Sequence, residues 1–256
     1  MTPHPASTIL DFMKTPVLRL AMWSGPRNIS TAMMRAWGNR SDTFVCDEPF
    51  YAHYLFATGK QHPMASEVIA SQPTDWREVV GKLTSEIPDG KTIFFQKHMA
   101  HHLLPDIDRA WLSMVSNCFL IRHPAEVISS YLAKQAAPAL EDLGFVQQEE
   151  IFEHVRSTTG AIPPVLDAKD VQQNPRGTLD KLCDVLGIVF DDSMLSWPPG
   201  LHTTDGVWAK HWYAEVESST SFRPYRRRQA EIPAALVEVY RRCLESYELL
   251  HANRLQ

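Results

Sequence analysis

The chain reads as an α/β protein with a central parallel sheet of about five strands covered by helices. Two observations carry that expectation. Short apolar runs alternate with segments of helical period along most of the 256 residues, without an internal repeat. The first such run ends in a tight turn and a hydroxyl-bearing helix start, where α/β proteins build anion sites.

Leu18–Trp23 alternates apolar and polar at first and is short enough for a buried strand; Ser24-Gly25-Pro26 breaks it. From Ser30 the spacing is helical, with Ala32, Met33, Ala36 and Trp37 on one face. Ser30 and Thr31 bring hydroxyls to the free amides of the first turn, and Arg27 adds a permanent cation. A G-x-x-x-x-G-K-[ST] loop counted back from Thr31 would need Lys at 30 and Gly at 29 and 24; Ser30, Ile29 and Ser24 stand there. As a non-glycine residue, Ile29 is expected to keep a negative φ.

Thr43–Cys46 reads as a second strand leading into Asp47-Glu48-Pro49, carboxylates at the end of the sheet where ligands bind. Residues 50–90 form an excursion above the sheet, aromatic at first and carrying a helix near Trp76–Thr84. Lys91–Gln96 is the third strand, followed by Lys97, His98, His101 and His102. His98 and His102 have i,i+4 spacing, yet no H-E-x-x-H pattern supports a metal, and none is expected. Asn117–Ile121 is the fourth strand; Pro124 opens a helix after Arg122, and Ser130 lies two turns along it. A fifth strand over 163–168 precedes a helix over 176–186 capped by Gly187. The Trp197–Gly200 turn begins a closing segment, 197–256, with an Arg-rich run at 223–228 and a last helix over 234–251.

One domain over 1–256 is expected, with residues 1–16 as an N-terminal arm. The composition is 44% hydrophobic and 21% charged, with a formal charge of −5. That balance excludes a general nucleic-acid binder, so any anionic ligand must be met by local arginines. The four cysteines are far apart and read as small core residues. Neither a signal peptide nor an apolar run of about 18 residues is present, so a cytoplasmic protein without a membrane span is expected. The oligomeric state is not legible.

Three segments together resemble the PAPS-dependent sulfotransferases. Pro26-Arg27-Asn28-Ile29-Ser30-Thr31 is similar to their 5′-phosphosulfate loop, usually P-[KR]-S-G-T-T. Ile121–Tyr131 is similar to their 3′-phosphate motif, with Arg122 and Ser130 at its spacing; Asp167–Gly187 resembles their "DL…NP…LG" segment. Gly206–Trp212 is reminiscent of their closing G-x-W-K element, or packs as aromatics.

The resemblance implies a nucleotide-kinase-like (P-loop) architecture and transfer of a sulfuryl group from PAPS to a hydroxyl or amine of a small-molecule acceptor. It assigns Arg27, Asn28, Ile29, Ser30 and Thr31 to the 5′ end, Arg122 and Ser130 to the 3′-phosphate, and Trp208 and Lys210 to closure over the nucleotide. Glu48 is the first candidate base, or a brace for Arg27; His98 is the second, and Lys97 assists charge stabilisation. The aromatic stretch Phe50–Phe56 is expected to shape the acceptor pocket. A phosphotransferase and a non-catalytic nucleotide-binding module are the alternatives.

Overall fold

A computed structural model describes residues 17–133, 137–227 and 231–256. The expected arm, 1–16, and Arg228 of the basic run lie outside the described residues. Five strands form one parallel sheet in the order β2-β3-β1-β4-β5: β1 Leu18–Ser24, β2 Thr43–Asp47, β3 Ile93–Met99, β4 Ser116–Ile121 and β5 Val165–Asp167. The helices that join the strands are α1 Ser30–Gly38, α2 Tyr51–Thr58, α3 Ala65–Ser71, α4 Trp76–Thr84, α5 Pro124–Leu132 and α6 Phe145–Thr159; α7 Ala168–Gln173 and α8 Pro175–Leu186 follow β5. Two short helices, α9 Ala209–Trp212 and α10 Ala214–Glu217, precede α11 Val237–Ala252.

Strand period explains the layers. Leu20 and Met22 of β1 pack on one face of the sheet with Met33 and Trp37 of α1 and Leu179 and Leu182 of α8. Ala21 and Trp23 pack on the other face with Val127 of α5, Phe152 of α6 and Tyr247 of α11. A central strand covered on both sides needs apolar residues at nearly every position, as β1 has. Its one charged residue, Arg19, sends Nε and Nη2 to the carbonyl of Ser85 at 3.0 and 2.7 Å. Full burial of a side chain such as Phe119 contributes roughly 2–3 kcal/mol.

The helix ends follow their local chemistry. Asp75 caps α4 by accepting from Arg77 N at 2.9 Å. Pro124 is the first residue of α5, and Asn174 caps α8, with Pro175 next and left-handed Gly187 closing it. Three boundaries differ from the expectation. β5 is only three residues long, because Asp167 turns to cap α7. The last helix begins as a 3₁₀ turn over Ala234–Leu236. β3 runs on to Met99, so Lys97 and His98 lie within the strand and point to opposite faces.

Candidate active site

The sheet order places β1 centrally, with the chain continuing toward β2 and β3 on one side and toward β4 and β5 on the other. A crevice opens at the carboxyl ends of the strands where the winding reverses. It is a cavity of ≈ 580 Å³ lined by the 26–32 turn, Glu48, Lys97, Arg122, Ser130 and residues of the closing segment.

The turn after β1 is held in a form its composition disfavours. Arg27 has φ 59° and Ile29 has φ 33°, both left-handed, which corrects the expected negative φ at Ile29. Such backbone costs on the order of 1–3 kcal/mol per residue and persists where neighbours over-determine it. Here the Ile29 side chain packs against the core beside α1, and Asn28 Nδ2 donates to the carbonyl of Leu120. Gly25 permits the approach, since a Cβ there would lie 2.4 Å from the carbonyl oxygen of Leu143. α1 then starts with no side-chain cap, and its first intrahelical bond runs from Met33 N to Ile29 O at 3.0 Å. The amides of its first turn therefore lack an intrahelical or side-chain partner, and their residues, Ser30, Thr31 and Ala32, line the cavity. Asn28 Oδ1 is buried there without a hydrogen-bond partner.

Two arginines meet across this turn. Arg27 Nε donates to Ser130 Oγ at 3.0 Å, and Arg27 Nη2 pairs with Glu215 of α10 at 3.3 Å. Arg122 Nη1 donates to the backbone oxygen of Arg27 at 2.9 Å, while its Nε donates to Glu126 Oε2 at 2.9 Å. Tyr225 holds the other oxygen of Glu126 at 2.7 Å. Arg122, fastened by both contacts, stands over the loop with 15% of its side chain exposed.

Beyond β2 lies a buried polar network. Lys97 Nζ donates to Asp47 Oδ1 at 2.8 Å, to Glu48 Oε1 at 2.5 Å and to the hydroxyl of Tyr213 at 2.9 Å. Tyr213 in turn donates to Asp47, and Asp47 also accepts from Gly206 N at 3.1 Å. Burial opposes the charge on Lys97, but Asp47, Glu48 and Tyr213 together outweigh it and hold the ammonium well above its ordinary range. For Glu48 burial wins over Lys97, with repulsion from Asp47 added, and its carboxyl titrates above the usual range. The Glu48 backbone is left-handed as well, with φ 41°. Its partner is Lys97 rather than Arg27, so the expected Arg27–Glu48 brace is not the contact formed.

Several expected residues lie elsewhere. His98 stacks on Trp23 with ring centroids 4.3 Å apart, on the face away from Lys97, and is not among the residues lining the cavity. Burial, with Lys97 adjacent, pushes its imidazole down to about 3. Trp208 is buried in the core and Lys210 is exposed, both off the cavity wall. The closing segment presents His211, Trp212 and Tyr213 instead. His98 and His102 diverge, because the strand ends between them; among the described residues no group of three or more His, Cys, Asp or Glu could hold a metal.

Further residues complete the wall. Tyr51 and Tyr54 come from the aromatic stretch expected to shape the pocket; His62 of the same excursion, and His101 and His102 from the turn after β3, were not assigned to it. The His102 ring is stacked between Tyr51 at 4.7 Å and Tyr54 at 4.6 Å. The aromatic excursion and the three clustered histidines were the available signals. Arg223, from the Arg-rich run, also lines the cavity; Glu215, which pairs with it at 3.9 Å, carried no signal.

A family model described as "Sulfotransferase domain" matches residues 18–241. Two curated relatives from Arabidopsis thaliana, branched-chain-amino-acid aminotransferase-like proteins 1 and 2, are 33% and 31% identical over 231 residues. That match takes in 90% of this chain and 41% of each relative, so the chain spans about two fifths of their length. Among solved structures, the sulfotransferase domain of the Synechococcus PCC 7002 olefin synthase has TM-score 0.50 at 18% identity, covering 92% of this chain and 96% of that one. The sulfotransferase domain from the curacin biosynthetic pathway has TM-score 0.52 at 15% identity, covering 92% and 98%. These two establish a shared fold.

Proposed function

Because the chain belongs to the sulfotransferase-domain family, we propose that it transfers a sulfuryl group from PAPS to a hydroxyl or amine of a small-molecule acceptor. The observation that carries this reading is that Arg27, Arg122 and Ser130 line one cavity from two different segments, after β1 and after β4. A doubly phosphorylated nucleoside needs two fixed cations at separate points, and a forked guanidinium suits each. The residues present fit such a donor: uncapped α1 amides, Ser30, Thr31 and the partnerless Asn28 oxygen border the same loop.

PAPS supplies an activated sulfuryl group on its 5′-phosphate. The 26–31 turn and the α1 amides hold that phosphate, and the helix dipole favours its charge. Arg27 bridges the phosphate and the departing group, stabilising charge that grows during transfer. Arg122 and Ser130 orient the 3′-phosphate. Glu48 takes the proton of the acceptor: its raised titration makes it a better base than an ordinary carboxylate, and Lys97 fixes its aim. Asp47, Glu48 and Lys97 leave a net negative charge at this end, which disfavours anionic acceptors.

Two measurements test the reading. Adenosine 3′,5′-bisphosphate at a hundredfold excess over its dissociation constant stabilises by about 2.7 kcal/mol, a Tm rise on the order of 5–10 °C. ATP with Mg²⁺ is expected to do much less, and the reverse ranking points to a phosphotransferase. Labelled PAPS offered with a metabolite extract is expected to yield a labelled sulfate ester or sulfamate, and its absence at full nucleotide occupancy overturns the transfer.

A further inference from the structure

His102 is 3% exposed and lines the cavity, and its Nδ1 is buried without a hydrogen-bond partner. That atom lies 3.9 Å from Glu48 Oε2, too far for a direct hydrogen bond. Both atoms belong to cavity-lining residues, and Glu48 Oε1 is already engaged by Lys97. One oxygen at about 2.8 Å from each closes a triangle on that gap at ordinary hydrogen-bond length. The imidazole cannot turn aside, because Tyr51 stacks on it with 6° between the planes and Tyr54 with 28°. A buried polar atom left unpaired costs free energy, so a group fixed in this way awaits a partner.

We propose that His102 is an acceptor-binding residue whose Nδ1–H donates to the same acceptor hydroxyl oxygen that gives its proton to Glu48. The inference rests on reading Glu48 as the base. In the step, the acceptor's proton passes to Glu48 Oε2 and the acceptor atom forms the new bond to sulfur. The bond from sulfur to the 5′-phosphate oxygen breaks, and its electron pair stays on that phosphate. His102 neither gains nor loses a proton; it fixes the nucleophile so that one lone pair faces sulfur. Burial and the neighbouring His101, His62 and Lys97 keep the ring neutral, which suits a donor and makes it a poor base. The corollary is a single-point recognition that selects a hydroxyl, whose oxygen has one lone pair for His102 and one for sulfur, over an amine with only one; the Tyr51, Tyr54 and His62 wall receives an uncharged body.

The test reads the proton directly. Full-length protein labelled with ¹⁵N-histidine and saturated with adenosine 3′,5′-bisphosphate is examined by NMR, with His102 assigned by its loss in His102→Phe. A proton on Nδ1 is expected; a bare Nδ1 overturns the proposal, because it can then only accept. Turnover is read separately from labelled PAPS with water as the acceptor. His102→Phe keeps a ring between the tyrosines and should bind adenosine 3′,5′-bisphosphate as the wild type does, yet release sulfate roughly tenfold more slowly. His102→Asn, which restores an N–H, should recover most of that loss. Equal rates for Phe and wild type, or Asn no better than Phe, overturn the role. A wild type that fails to bind the bisphosphate refutes the sulfuryl-transfer reading instead, and the NMR result still decides the His102 donor; one that binds it but spares water is compared with its Phe and Asn variants on the acceptor recovered from the extract.

Discussion

Arg122 Nη1 donates to the backbone oxygen of Arg27 at 2.9 Å, so the side chain at the end of β4 holds the loop that follows β1. One arginine thus has two consequences when removed. Arg122→Ala should lose the preference for a 3′-phosphate and also loosen the left-handed turn at Arg27. Binding of adenosine 3′,5′-bisphosphate should fall toward that of adenosine 5′-monophosphate. Calorimetric titration with both nucleotides checks it, and a retained preference removes Arg122 from the 3′ end.

Arg27→Ala should slow sulfuryl transfer on the order of a hundredfold or more. The fold should survive, because the side chain is 21% exposed and its partners are Ser130 and the half-exposed Glu215. Single-turnover kinetics with labelled PAPS separates the loss of rate from a loss of binding.

Glu48→Gln should retain nucleotide affinity and lose rate. In the wild type the base must be ionised, so kcat/KM should rise with pH through a value above the ordinary carboxylate range, burial having raised it. For stability the sign is opposite. A carboxyl raised in the folded state favours folding while protonated, below its unfolded value near 4.5. That contribution is lost as pH rises through the folded value. A pH–rate profile that is flat across the acidic range, or a Gln variant with full rate, removes Glu48 as the base.

Arg35 and Asp205 form a buried two-pronged ion pair, Nη1–Oδ1 2.5 Å and Nη2–Oδ2 2.6 Å, with side chains 1% and 3% exposed. It ties α1 to the closing segment. Asp205→Ala strands the guanidinium and should cost about 3–5 kcal/mol, a drop in Tm on the order of 10 °C. Scanning calorimetry measures it, and a shift of only a degree or two refutes the anchoring role.

Much of this architecture was legible. Regular apolar spacing over Trp76–Thr84 and the hydroxyl pair at Ser30 gave helix starts that match α4 and α1. The extension of β3 beyond Gln96 is hidden because Lys97 and His98 have the composition of a strand's solvated end. Their partners come from neighbouring strands: Asp47 lies opposite Lys97 in register, and Trp23 opposite His98. A one-residue reading cannot see a charge satisfied across a sheet. The same blindness affected Ile29, whose φ is set by packing rather than by intrinsic preference. The Trp208 motif was read for its residue types, and the chain used its neighbours Trp212 and Tyr213 at the wall. Glu215 was illegible because nothing local marks a carboxylate that will meet an arginine 188 positions away.

The left-handed Ile29 has a practical consequence for anyone seeking a hardier version of this protein. Glycine there would relax the backbone without removing a charged group, whereas at Arg27 or Glu48 it would delete the guanidinium or the carboxylate itself. A gain at Ile29 would slacken the turn that carries Arg27, giving a catalyst that survives heat better and works more slowly.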